Sequence, residues 1–177
     1  MSSTPTISIR LISPAEFDAV LPALAELLVS TVNGGYTMGF QAPLTYPRAR
    51  DYWMSLGADL RSGSRLLYVA GSEDRIVGSG QLVLSPWSSL KHWAELQKVF
   101  VAPSFRERGF GRSLVATLHA AARVRRCSLL VLSTRYGEPA EALYKKMGYR
   151  EVDVRGWTAC PTTQRYALVT LYKELSL

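Results

Sequence analysis

A single mixed α/β domain is the fold class this sequence predicts, and three observations predict it. Strands and helices interleave through all 177 residues without an internal repeat, a low-complexity segment or a linker. One stretch reads as strand, helix, strand: Val99 and Val101 bracket Phe100, then Leu114, Val115, Leu118, Ala121 and Ala122 recur at helical spacing, and Ser128 to Ser133 is again extended. Such a βαβ unit should pair its strands in parallel with a right-handed crossover. Finally, Leu129, Leu130, Val131 and Leu132 are apolar without alternation, as a strand buried on both faces should be. The length, with 47% apolar and 20% charged residues, suits one soluble domain over 1–177 that buries a substantial core.

In chain order, Ile7 to Leu11 alternates as an edge strand, and Ser13-Pro14-Ala15-Glu16 reads as a capping box opening a helix. Phe17, Val20, Leu21, Leu24, Leu27 and Leu28 form its apolar stripe, Pro22 should kink or restart it, and Asn33-Gly34-Gly35 stops it. Gly34 to Pro43 is an uncharged aromatic loop whose Tyr36, Met38 and Phe40 are placed to cover a small substrate or to tuck onto the core. A second helix is expected over Pro47 to Leu60, with Tyr52, Trp53 and Leu56 inward. A hairpin follows: Leu66 to Ala70, a turn through Ser72-Glu73-Asp74-Arg75, then Ile76 to Leu84, where Gly78 and Gly80 should leave space on one face. After the βαβ unit come a helix over Glu138 to Met147 ended by Gly148, and strands over Tyr149 to Gly156 and Arg165 to Lys173.

Composition narrows the function. No apolar run is long enough to span a membrane and the N-terminus has no signal pattern, so the cytoplasm is the expected compartment. Cys127 and Cys160 lie in no metal or redox spacing, and His92 and His119 are too dispersed for a metal site. Residues 1–100 carry eight basic and eight acidic side chains, whereas 101–177 carry thirteen and six, so the whole net charge of +7 lies in the second half. A polyanionic cofactor explains that asymmetry better than nucleic acid does, since a basic surface alone is only an electrostatic footprint.

The segment that concentrates the chemistry is Glu95 to Arg112. Pro103 ends the strand, and a glycine loop then enters a helix, aiming unpaired N–H groups and the positive end of the helix dipole at one point, where a phosphate should bind. Leu114 occupies the position of a dinucleotide fingerprint's third glycine, and no Gly-Lys-Ser/Thr ends the loop, so neither nucleotide motif applies. What remains, Arg106-x-x-Gly109-x-Gly111 behind Val-x-Val-x-Pro, resembles the acyl-CoA-binding segment of the GNAT superfamily of N-acetyltransferases. Ala140-x-x-x-Tyr144-x-Lys146-x-Gly148-Tyr149 is similar to a second segment of that family, with Gly137 where an asparagine is frequent. Val32 to Gly35, Gly39-Phe40 and Ala94 to Lys98 bring the resemblance nearest to the tabtoxin-resistance type, although Ser133 stands where a carboxylate is expected.

The resemblance implies a mixed, mostly antiparallel sheet of six or seven strands, helices on both faces, and a splayed parallel pair. It implies acetyl-CoA as cofactor, held by Val99, Phe100, Val101, Arg106, Glu107, Arg108, Gly109, Phe110, Gly111 and Arg112, with Gly137, Ala140 and Tyr144. An ammonium acceptor must lose a proton before it attacks a thioester, and Glu95, flanked by Trp93 and Leu96, is the best base, with His92 second. Backbone N–H groups of Phe100 or Val101 are candidates for the oxyanion, and Tyr144 for protonating the thiolate. Direct transfer follows from the absence of cysteine in the motifs. Tyr36, Phe40, Glu95 and Ser133 are the candidate substrate contacts, for a small-molecule amine. Protein or peptide N-acetylation and a CoA-binding sensor without turnover are the alternatives. No membrane or nucleic-acid partner is expected, and the chain should be a monomer or a homodimer joined through its apolar strand Tyr166–Tyr172.

Overall fold

The computed structural model describes residues 7–36, 38–72, 75–158 and 166–177, with the backbone alone for 153–158 and 166. The expectations for Met1–Thr6, Thr37, the Glu73-Asp74 turn centre, Cys160 and Arg165 lie outside the described residues. Seven strands follow the order β1-β2-β3-β4-β5-β7-β6. The pairs β1/β2, β2/β3, β5/β7 and β6/β7 are antiparallel and β4/β5 is parallel, as the βαβ reading requires. Two compact units divide the chain: Met1–Val83 with Gln97–Leu118, and Leu84–Leu96 with His119–Leu177. Among the described residues no helix is long and apolar enough to cross a membrane.

The first unit holds β1 (Ser8–Leu11), α1 (Phe17–Asn33), α2 (Tyr46–Ser55), α3 (Gly57–Ser62), β2 (Arg65–Gly71) and β3 (Ile76–Leu84) up to Val83. It also takes the later part of β4 (Trp93–Val101) and the start of α4 (Phe110–Val124). Strand alternation sorts β2 onto two cores. Leu67 and Val69 pack with Phe17, Leu21, Leu24 and Leu28 of α1 and Trp53 of α2, while Ala70 packs with Val77, Val101 and Leu114 of α4. Helices therefore cover both faces of this unit. The buried Trp53 indole donates to the Leu24 carbonyl at 3.0 Å, so the largest core side chain leaves no orphaned donor.

The capping box forms, with Ser13 N–H donating to Glu16 Oε2 at 3.0 Å and Glu16 N–H to Ser13 Oγ at 3.3 Å, and the helix proper begins after it at Phe17. Pro22 does not restart α1, which runs unbroken for 17 residues, because proline removes one intrahelical bond near the N-terminus while the Leu stripe continues to pack. The expected second helix is two helices: the chain turns at Leu56 and re-enters at Gly57, the residue with the weakest helical preference after Pro47 at the helix start. Gly78 and Gly80 do not leave space. A Cβ at Gly80 would stand 3.0 Å from Leu118 Cδ1, and one at Gly78 would stand 3.1 Å from the Phe100 carbonyl oxygen, so the missing side chains let α4 press onto the strand.

The second unit contains the beginning of β4, β5 (Leu129–Arg135), α5 (Pro139–Lys146), β6 (Arg150–Thr158) and β7 (Tyr166–Glu174). Glu95 is the third residue of β4. Parallel pairing sets Trp93, Ala94 and Glu95 against Leu129, Leu130 and Val131. The apolar run of β5 alternates after all, with Leu130 and Leu132 buried and Leu129 and Val131 only half-buried, so one face carries the core. β7 lies between β5 and β6, and both of its edges are hydrogen-bonded. It offers no edge to a second copy, which removes the pairing expected for Tyr166–Tyr172.

Candidate active site

The ladder ends where Ala102 N–H donates to the Val77 carbonyl at 2.7 Å; Pro103 then starts a single 3-10 turn closed by Phe105 N–H on the Ala102 carbonyl. Glu107 and Gly109 adopt left-handed backbone conformations, with φ of 61° and 84°. A Cβ at Gly109 would meet nothing within 4 Å, so glycine is required there by conformation and not by space. The first intrahelical bond of α4 runs from Ser113 N–H to the Gly109 carbonyl at 3.0 Å. The N–H groups of Phe110, Gly111 and Arg112 therefore lack an acceptor one turn back within the helix, as the leading amides of any helix do. Exposed Arg108 and Arg112 add positive charge beside them.

Arg106 is committed to the loop itself. Its Nε donates to the Val101 carbonyl at 3.0 Å, and its guanidinium lies 3.6 Å from the centroid of the Tyr36 ring. The same unit carries Phe100 and Val101, both buried, and the half-buried Val99. Between them and Glu95, Lys98 has φ of 47°, a left-handed residue within a strand. Such a residue breaks the pleat and turns neighbouring side chains toward one face.

The break gathers a cluster that sequence reasoning did not foresee. Phe40 and Tyr52 meet edge to face at 5.2 Å, and the Lys98 ammonium lies 5.6 and 5.1 Å from their ring centroids. Gln81 donates to the Tyr52 hydroxyl at 3.3 Å and accepts from Arg65 Nη1, which also donates to Gln97 Oε1 at 3.0 Å. Desolvation raises the Tyr52 hydroxyl's pKa above its ordinary value. The signal available in the sequence was Gln81, one polar amide in the otherwise apolar or small-residue strand Ile76–Leu84.

In the second unit Glu95 is half-buried opposite Val131, and Ser133, two residues further along β5, is exposed with its hydroxyl 3.3 Å from that of Thr170. His92 is exposed at the strand entrance, where its carbonyl accepts from Ser128 and Leu129. Gly137 has φ of 79°, and its N–H donates to Glu141 Oε2 at 2.6 Å, so a carboxylate of α5 ties down the loop at the position where the family frequently has asparagine. Ala140 is exposed in the first turn of α5. Tyr144 is buried, its ring edge-on to Tyr149 at 5.4 Å, and burial pushes its hydroxyl well above the ordinary tyrosine range. Tyr149 in turn shares a hydrogen bond of 2.9 Å with Nε2 of buried His119.

A family model for the acetyltransferase (GNAT) domain matches residues 63–151, which include the loop, the strand before it and α5. The chain belongs to the GNAT acetyltransferases. It is an acyltransferase, and its cofactor is acetyl-CoA. Solved structures agree over nearly the whole chain. A ribosomal-protein-alanine N-acetyltransferase from Brucella melitensis has 25% identity and a TM-score of 0.74, covering 95% of this chain and 99% of its own. The yncA protein of Salmonella typhimurium, solved with its cofactor acetyl-CoA, has 16% identity and a TM-score of 0.77, covering 96% and 94%. The ribosomal-protein-S18-alanine N-acetyltransferase of Escherichia coli has 16% identity and a TM-score of 0.70, covering 97% and 96%.

The residues of this GNAT chain fit acetyl-CoA. A diphosphate needs several convergent donors and positive charge, and the three leading amides of α4 with Arg108 and Arg112 supply both.

Proposed function

We propose that this GNAT enzyme acetylates the primary amine of a small, amino-acid-like molecule by direct transfer, with residues 1–177 as one acetyltransferase domain working in the cytoplasm. The observation that carries the reading is the Gly34–Pro43 loop. Met38 and Phe40 pack against the core of the first unit, and Asn33 anchors the loop's end by donating to and accepting from Leu44 at 3.1 and 2.8 Å. Met38 and Phe40 thus take the core-tucked alternative, and a loop anchored in this way would border a compact acceptor site more readily than an open groove for a polypeptide.

Acetyl-CoA supplies the acetyl group as an activated thioester. The amides of Phe110, Gly111 and Arg112 would hold its phosphates, with Gly109 setting their direction. The Glu95 carboxylate takes a proton from the acceptor ammonium, directly or through water, and so frees the nitrogen lone pair. The Tyr144 hydroxyl, kept protonated by burial, would donate a hydrogen to the departing thiolate. Ser133 and Gly137 complete the β5–α5 side. The motifs shared with the tabtoxin-resistance type support a detoxifying role for the reaction.

Thiol release from acetyl-CoA against a panel of amino acids, β-lactams, polyamines and peptides tests the reading. Turnover with small amines is expected. Turnover confined to peptides would replace it with protein N-terminal acetylation, a second reading favoured by the 25% identity to a ribosomal-protein-alanine acetyltransferase. Acetyl-CoA binding without any turnover would favour a sensor.

A further inference from the structure

Two arginines share one aromatic ring at the start of the glycine loop. The guanidinium carbon of Arg75 lies 4.8 Å from the centroid of the Phe105 ring, and that of Arg108 lies 5.3 Å from it. All three residues belong to the first unit. Phe105 is half-buried and packs against the core of Ala70, Val77, Val101 and Leu114, so the ring is a fixed platform. Arg75 is held at its backbone, where Ser72 N–H closes the β2–β3 turn by donating to the Arg75 carbonyl at 2.9 Å. Arg108 stands directly before left-handed Gly109. Both arginines are exposed, and among the described residues neither meets a carboxylate.

Stacking on an aromatic face holds each guanidinium in place, yet two like charges over one ring repel each other. An anion relieves that repulsion, and a guanidinium fork matches phosphate geometry. Acetyl-CoA brings three phosphate groups. Its diphosphate is met by the leading amides of α4, which are neutral dipoles. The third group, on the ribose 3′ oxygen, is a monoester, nearly doubly charged at neutral pH because its second pKa is about 6. As the cofactor's most concentrated charge, it calls for side-chain cations and not for amides alone.

We propose that Arg75, with Arg108 beside it on the Phe105 ring, recognises the 3′-phosphate of acetyl-CoA. Arg75 lies outside the glycine motif, on a turn that carries no other part of the site. The assignment rests on the cofactor alone and is independent of the acceptor.

Calorimetric titration of the full chain with CoA and with 3′-dephospho-CoA reads this contact without any turnover. The wild type should bind CoA roughly three- to twentyfold more tightly, the range for one or two exposed ion pairs, and the preference should shrink as salt rises. Arg75→Gln should remove most of that preference while leaving the affinity for dephospho-CoA at its wild-type value. Arg75→Lys, which keeps the charge without the fork, should fall between. Phe105→Leu keeps both cations and removes their platform, so it too should narrow the preference. Equal affinities in the wild type, a comparison that needs no variant to fold, would overturn the assignment. A preference that survives intact in Arg75→Gln would take it away from Arg75. Equal losses for both ligands in Arg75→Gln would also overturn it, by making the residue a support of the loop or a diphosphate contact. If neither ligand binds the wild type, the phosphate site at the glycine loop fails and the role of Arg75 falls with it.

Discussion

The guanidinium carbon of Arg106 lies over the Tyr36 ring, 3.6 Å from its centroid, while Nε of the same side chain donates to the Val101 carbonyl at 3.0 Å. The residue that opens the glycine motif is thus clamped between the end of β4 and the loop after α1. Removing the ring should loosen the clamp. Tyr36→Ala is expected to lower stability by about 0.5–1 kcal/mol, the size of a cation–π contact at an exposed site, and to raise KM for acetyl-CoA several-fold. Tyr36→Phe keeps the ring and should leave both near wild type. Urea midpoints and acetyl-CoA titrations check this, and identical behaviour of the two variants would remove the ring from the account.

Glu95 sits half-buried in the three-residue parallel ladder with β5, on a strand end fixed by backbone pairing. The base proposed above should therefore be replaceable without disturbing the glycine loop. Glu95→Gln is expected to reduce kcat by roughly a hundred- to ten-thousandfold, the usual worth of general-base catalysis. Acetyl-CoA affinity by calorimetry should stay unchanged. Retained turnover would take Glu95 out of the mechanism.

Tyr144 is a different case, because burial both keeps its hydroxyl protonated and makes it a weaker acid. Its hydrogen should therefore act as a hydrogen-bond donor, worth about 1 kcal/mol, and Tyr144→Phe is expected to slow turnover roughly fivefold with little change in KM for acetyl-CoA. Because the hydroxyl stays protonated, wild-type kcat should show no loss from Tyr144 through mildly alkaline pH. A rise in KM matching the fall in kcat would recast the residue as a cofactor contact.

How far the sequence could be read followed the range of the interactions involved. The strand, glycine loop and helix around Gly109 were legible because each is dictated by nearby residues: Pro103 has no donor and Gly109 must turn left-handed. The interior place of β7 was not, since its apolar run reads the same at an edge or between two strands. Gly78 and Gly80 were misread as leaving room because the filler, Leu114 and Leu118, comes from more than thirty residues away. The Arg65–Gln81–Gln97–Tyr52 cluster escaped for the same reason, and because left-handed Lys98 breaks the alternation from which faces are assigned.

Gly109 gives a prediction that separates space from conformation. With φ of 84° and no atom within 4 Å of an added Cβ, Gly109→Ala meets no clash but must hold a left-handed backbone. That costs about 1–2 kcal/mol, and relaxing it would turn the leading amides of α4 away from their common focus. Stability should fall by that amount, while KM for acetyl-CoA rises by a larger factor than in Tyr36→Ala. A stable variant with unaltered KM would show that the left-handed turn does not direct the amides.

His119 makes stability depend on pH in a definite direction. Burial, with Lys173 and Arg123 adding repulsion, holds its pKa down to about 4 from an ordinary 6.5, and the neutral ring shares a hydrogen bond with Tyr149. As pH falls through 6.5 toward 4 the unfolded chain takes up a proton that the folded protein refuses, so stability drops. The contribution is flat above the upper value, and the loss is complete below the lower one, about 3 kcal/mol in all at ~1.4 kcal/mol per pH step. His119→Gln retains a hydrogen-bonding group for the Tyr149 hydroxyl without titrating. Other groups titrate alike in both proteins, so the difference between their urea midpoints across this range isolates His119. The wild type should lose more stability than the variant on acidification. Parallel curves would mean that His119 is protonated as readily in the folded protein as in the unfolded chain, and that its bond to Tyr149 survives the charge.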